Sequence, residues 1–165
     1  MCRRRVGPIA SICLIALSLV SGGNVKQFFV TGNQWVVYLA DQEVDERLEL
    51  YSASLADGKI VKLSGNLQSA GNIVDVAVSP DGTFAVYRAD QEQDEVYEIY
   101  HVPSVGGTIT KLNLPLVSGV DVREFTISAD NTHIVYLADQ EIDTVVELYS
   151  SVIATHRLFL PVVSR

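Results

Sequence analysis

Apolar and polar residues alternate along most of this chain, and the alternation comes in short runs. Residues 73–79 (IVDVAVS) read apolar-polar and predict a strand. Residues 79–82, Ser-Pro-Asp-Gly, predict a turn: Pro presets φ, Asp bonds its own backbone and Gly tolerates φ > 0. A second strand is expected over 83–89 (TFAVYRA), a polar acidic loop over 90–95 and a third strand over 96–102 (VYEIYHV). A turn ending in Gly106-Gly107 then leads to a fourth strand over 108–113 (TITKLN).

This pattern is written three times. Residues 36–51 read VVYLADQEVDERLELY, 85–100 read AVYRADQEQDEVYEIY and 134–149 read IVYLADQEIDTVVELY, each copy starting 49 residues after the last. A fixed period of this size marks a repeat architecture. The first copy predicts strands over 26–30, 34–40, 47–52 and 59–63, with a first turn one residue shorter than in the second copy. The third predicts strands over 122–128, 132–138 and 145–152. It then departs from the pattern: THRLFLPVVSR stands where Gly-Gly and Lys-Leu-Asn are expected, so residues 155–165 read as a last strand or as a tail. Four short antiparallel strands per unit give an all-β chain of propeller blades, over about 24–66, 72–114 and 120–154.

The motif Ser79-Pro80-Asp81-Gly82-Thr83, followed by Val86-Tyr87-x-Ala89-Asp90, Glu98-Ile99-Tyr100 and Gly106-Gly107-x-x-x-Lys111-Leu112, resembles the TolB-like, WD40-like β-propeller repeat of bacterial envelope and secreted proteins. The resemblance covers roughly residues 20–154. It implies the fold and leaves the function open, because such repeats serve many unrelated proteins. Propellers typically close with four to eight blades. With three, the expectation is an incomplete propeller: two copies closing a six-bladed ring, a piece of a larger propeller, or an open arc.

Residues 1–23 carry Arg3, Arg4 and Arg5, then an apolar run over 9–20 and a small-residue stretch, Ser21-Gly22-Gly23. This reads as a secretory signal and predicts a secreted, periplasmic or envelope protein. The run is too short for a comfortable membrane span. A competing reading is a piece of a longer repeat protein, since residues 19–28 parallel 116–125. Both cysteines, Cys2 and Cys13, lie in this segment, so the body has neither a disulfide framework nor a thiolate metal site.

Charge narrows the partners. The 165 residues carry a formal net charge of −8, and without the three N-terminal arginines 9 Lys and Arg face 20 Asp and Glu. Such a surface repels nucleic acid and favours cations and basic partners. Eleven of those acids fall in three equivalent loops, so the candidate site is there. Alternating acids at Asp41/Glu43/Asp45, Asp90/Glu92/Asp94 and Asp139/Glu141/Asp143 present oxygens suited to weak Ca²⁺ binding. The EF-hand pattern is not met: Glu46, Glu95 or Thr144 stands where Gly is required, and no Glu falls at position twelve. Solvated acidic loops are the simpler reading.

Glu49, Glu98 and Glu147 recur inside the third strand, each two residues before a tyrosine, and are expected to accept hydrogen bonds from a neighbouring blade or loop. Tyr38, Tyr87 and Tyr136 are expected to pack. His101, His133 and His156 match no ligand spacing, and no nucleophile elbow or phosphate loop is present. The sequence therefore predicts a non-enzymatic, exported binding or scaffold module without a cofactor, presenting acidic loops to a protein or peptide. The alternatives are the propeller part of a prolyl-oligopeptidase-like hydrolase or a non-functional fragment.

Overall fold

The structure, a computed structural model, describes residues 3–6, 11–14, 19–116 and 119–153. Every element in them is a strand. β1 (Arg3–Val6) and β2 (Ser11–Leu14) pair antiparallel in a small hairpin. They lie in the segment read as a signal. The expected last strand within 155–165 lies outside the described residues.

The body is three antiparallel sheets, one per repeat. Blade 1 has β3 (Val25–Val30), β4 (Trp35–Ala40), β5 (Glu49–Ser54) and β6 (Ile60–Lys62) in sequence order. Blade 2 repeats this with β7 (Ile73–Val78), β8 (Phe84–Ala89), β9 (Glu98–Pro103) and β10 (Thr110–Lys111). Blade 3 has β11 (Val122–Ile127), β12 (His133–Ala138) and β13 (Glu147–Val152). The strands predicted for each repeat are present, and their ends move by at most two residues. The shorter first turn is real: the Thr31 amide reaches Trp35 O, whereas Ser79 reaches Phe84 O and Ser128 reaches His133 O, one residue further on.

The Ser-x-Asp-x-Thr turns hold themselves. The Asp81 carboxylate accepts from the Ser79 hydroxyl (2.7 Å) and from the Thr83 amide (3.0 Å), and the Phe84 amide bonds back to Ser79 Oγ (3.1 Å). Asp130 takes the same role between Ser128 and Thr132, which draws its carboxyl down to about 2. One feature the alternation did not predict is a bulge near the start of each first strand, between Val25 and Gln27, Ile73 and Asp75, and Val122 and Glu124.

Period-two alternation gives each sheet two faces. The A face carries Val37, Leu39 and Leu50 in blade 1. The B face carries Tyr87, Ala89 and Tyr100 in blade 2, and these two sets form one buried cluster. Val86 and Ile99 on the A face of blade 2 pack in the same way on Phe125, Ile134 and Tyr136 of blade 3. Each fully buried Leu or Ile contributes roughly 1.5–3 kcal/mol through apolar area removed from water. The two larger clusters therefore lie between blades, as expected of stacked repeats, and a smaller one, Tyr38, Ala40, Tyr51 and Ala53, lies on the B face of blade 1. Among the described residues, no helix is long and apolar enough to cross a membrane.

Candidate functional site

The three acidic loops join the second and third strands of each blade. Their first carboxylate is turned inward. Asp41, Asp90 and Asp139 are buried, and each accepts the main-chain amide of a residue 17 or 18 positions earlier, at the start of its own blade. Asp41 takes Asn24, Asp90 takes Asn72 at 2.6 Å and Asp139 takes Asp121 at 2.8 Å. The Asn24 amide holds the Asp41 carboxyl below the usual carboxylate range. For Asp139 burial opposes ionisation, but the Asp121 amide and the Arg123 guanidinium (2.5 Å) outweigh it and lower the pKa. These aspartates clasp each loop to the first strand.

In the first two loops the second carboxylate turns to the blade's outer strand. Lys62 donates to Glu43 (2.9 Å) and to Glu49 (2.7 Å), and Lys111 donates to Glu92 (2.9 Å) and Glu98 (2.8 Å). Burial opposes the charge on each lysine, yet the two carboxylates raise both pKa values. Tyr51 and Tyr100 donate to the other oxygen of Glu49 and Glu98, at 2.7 and 2.9 Å. Burial, reinforced by these hydrogen bonds, pushes both phenols up. The recurring glutamates were expected to be held by a neighbouring blade or loop. The partners described here belong to their own blade, because antiparallel register sets Tyr51 beside Lys62 and Tyr100 beside Lys111.

The third carboxylate goes a third way. Asp94 accepts from Gln68 (3.1 Å) in the linker between blades, and the Asp45 side chain lies against Gly22. Asp45, Asp94, Glu141 and Asp143 stay exposed. The acids of one loop thus diverge, and among the described residues no group of three or more Asp, Glu, His or Cys side chains is placed to hold a metal ion. The residue at position six takes the left-handed conformation that glycine favours: φ is 64° at Glu46, 56° at Glu95 and 69° at Thr144.

The glutamine after each aspartate also has a role that the sequence reading passed over. Tyr38 and Tyr87 each donate to the glutamine of their loop at 2.8 Å, and Gln91 also accepts the Gly65 amide of the linker at 3.1 Å. Tyrosines of the second and third strands stack in pairs, Tyr38–Tyr51, Tyr87–Tyr100 and Tyr136–Tyr149, with centroids 5.2–5.5 Å apart. The recurrence of Gln42, Gln91 and Gln140, and of Lys62 and Lys111, was the signal available for these roles. His101 packs against Phe84 with centroids 4.9 Å apart, and burial lowers its pKa. His133 contacts the Thr132 hydroxyl at 2.6 Å. His156 lies outside the described residues.

No protein-family model and no curated protein matches the chain in sequence. Solved structures do match in shape. Over 87% of its length the chain superposes on TolB from Acinetobacter baumannii, with a TM-score of 0.53 and 14% identity. Over 88% it superposes on an oligogalacturonate lyase solved in complex with manganese, at 0.54 and 15%. Over 84% it superposes on a prolyl endopeptidase, at 0.59 and 13%. These are β-propeller blades. The chain spans 34%, 39% and 22% of those three chains, less than half of each. The β-propeller fold is what the likeness carries, since the proteins compared include both enzymes and TolB.

Proposed function

We propose that these blades form a non-enzymatic, exported binding or scaffold module that presents an acidic loop face to a cationic peptide or protein segment. One observation supports this reading above the rest. After the inward carboxylates and the lysine-paired ones are set aside, Asp45, Glu46, Asp94, Glu95, Glu141 and Asp143 remain exposed in three equivalent loops. Hydrophobic side chains sit among them, with Val44 and Ile142 exposed in the first and third loops. Carboxylates in such a row raise the local concentration of cations and speed encounter with a basic segment. A polyanion such as nucleic acid meets repulsion. An N-terminal segment with the features of a secretory signal agrees with an exported role.

The test is fluorescence anisotropy with a labelled oligolysine peptide at low and high salt. Binding should weaken as salt rises, and a variant with Asp45, Glu46, Asp94 and Glu95 changed to Asn and Gln should lose most of it. Equal binding by that variant would overturn the reading. A second reading is supported by the prolyl endopeptidase likeness, the highest of the three TM-scores. The same blades would then be the non-catalytic portion of a larger hydrolase. Reading the gene outward from both ends for a nucleophile-bearing domain separates the two.

A further inference from the structure

The two joints inside the chain are built alike. On the apolar side, the A face of one blade meets the B face of the next. Leu50 and Ile99, at equivalent A-face positions, are both 0% exposed, and the B-face residues Val76 and Phe125 are 5% and 9% exposed. On the polar side, one residue of each linker stitches two blades. The Asn72 carboxamide accepts the Leu48 amide (2.9 Å), and the neighbouring Ile73 amide donates to Leu48 O (3.1 Å). At the next joint the Asp121 carboxylate accepts the Tyr97 amide (2.8 Å), and the Val122 amide donates to Tyr97 O (2.8 Å).

At its ends the chain carries, in two separated halves, the β3 and linker part of one more such joint. The A face of blade 3 is open: Leu148, the counterpart of Leu50 and Ile99, is 70% exposed. A cleft of about 210 Å³ lies beside it, lined by Glu124, Thr126, Val135 and Leu137. On β3 of blade 1, Phe28, the counterpart of Val76 and Phe125, is 66% exposed, and Val30 beside it is exposed as well. The polar halves are present too. Asn24 is the counterpart of Asn72 and Asp121, and Val146 the counterpart of Leu48 and Tyr97. Asn24 uses its side-chain nitrogen on Gly22 O. Its carboxamide oxygen and the Val146 amide have no equivalent bond among the described residues.

We propose that a second copy of this chain completes the joint: the A face of blade 3 in one copy receives β3 of blade 1 in the other, and the reverse contact closes a two-fold ring of six blades. The Val146 amide of each copy then donates to the Asn24 carboxamide oxygen of the other, and the Val25 amide to Val146 O. Asn24 and Val146 thereby repeat the stitch found twice within the chain. Tyr38, Ala40, Tyr51 and Ala53 on the B face of blade 1 are already buried within the chain. The contact between copies therefore runs along β3 and the linker, not across the tyrosine pair. Six blades fall within the range at which propellers close. Two heterologous contacts related by a two-fold close the ring instead of running on as a filament.

The experiment is light scattering of the full chain over a concentration series, with Leu148→Asp, Phe28→Asp and Asn24→Ala. Both aspartate variants place the charge at exposed positions, and circular dichroism checks that each stays folded. The wild type should be a dimer. Each Asp variant should weaken it about 30-fold or more at each of the two joints, the loss of an interface anchor, and Asn24→Ala about fivefold at each joint, the loss of one hydrogen bond there. Mixing Leu148→Asp with Phe28→Asp should restore a dimer, because one of its two joints is then unaltered. A wild type that is monomeric throughout, or that grows into open chains, overturns the proposal. So does a dimer broken by Leu148→Asp and untouched by Phe28→Asp, which would mean that two A faces pair with each other.

Discussion

Blades 2 and 3 carry nearly the same motif and hold it under different conditions. Ile99 and Leu148 occupy one position on the A face. The first is sealed by the following blade and the second faces solvent. Glu98 and Glu147 both accept a hydrogen bond from the tyrosine two residues on, at 2.9 and 2.7 Å. Glu98 is buried and also bound by Lys111, whereas Glu147 is exposed. Burial heads the causes that raise the Tyr100 phenol. For Tyr149 the hydrogen bond to Glu147 comes first and raises it to about 12. Equal sequence thus gives unequal energetics, because in a stacked repeat most of the stabilising contact comes from the neighbour.

The largest expected effect tests this directly. Ile99→Ala should cost about 2–5 kcal/mol in urea unfolding, and Leu148→Ala in the monomer less than about 0.5 kcal/mol. Equal losses would break the comparison, since they would mean that the A face of blade 3 is covered within the chain. Next is the ion pair. Glu98→Ala leaves the buried Tyr100 phenol without its close acceptor and removes one of the two carboxylates held by the partly buried Lys111 ammonium, and should cost about 2–3 kcal/mol. Glu147→Ala, on an exposed carboxylate, should change the melting temperature little.

Smaller effects sharpen the contrast. Thr144 is a β-branched residue at φ 69°, where glycine is at ease. Thr144→Gly should therefore stabilise by about 1 kcal/mol, read as a higher melting temperature. His101 sits on the A face of blade 2, where the equivalent residue of blade 3 is Ser150. Its folded pKa lies below the ordinary 6.5 because burial disfavours the imidazolium. The unfolded chain then binds the proton more readily, so this contribution is complete above pH 6.5 and is lost as pH falls toward the folded value. His101→Phe should flatten the fall in stability in that window. Smallest of all, millimolar Ca²⁺ should leave the melting temperature unchanged, because the first carboxylate of each loop is turned inward and, in the first two loops, the second is held by a lysine. A clear rise would show that the loops rearrange around the ion.

Strand positions were legible in the sequence because alternation and turn residues are local properties. The face shared by Glu98 and Tyr100 was legible for the same reason. What the loop acids do was not. The bond from Asp90 to Asn72 spans 18 residues and that from Lys111 to Glu98 spans 13, and both depend on strand register, which no single run displays. The bulges at Ile73 and Val122 were hidden as well, since a one-residue insertion leaves the hydrophobic pattern nearly intact. The open face of blade 3 could not be read locally at all: Leu148 copies Leu50, and among the described residues a following blade covers only Leu50.

The stitches at Asn72 and Asp121 bear on how such a chain could lengthen by duplication. A cut between blades, just before either residue, separates a main-chain donor from its acceptor and leaves both ends unsatisfied. A cut at the outward turn, Ser79–Gly82 or Ser128–Asn131, falls where the hydrogen bonds are confined to a few neighbouring residues. A 49-residue segment taken from one such turn to the next would carry a complete stitch inside it. In the units that inheritance can copy without damage, the repeat begins in the middle of one sheet and ends in the middle of the next.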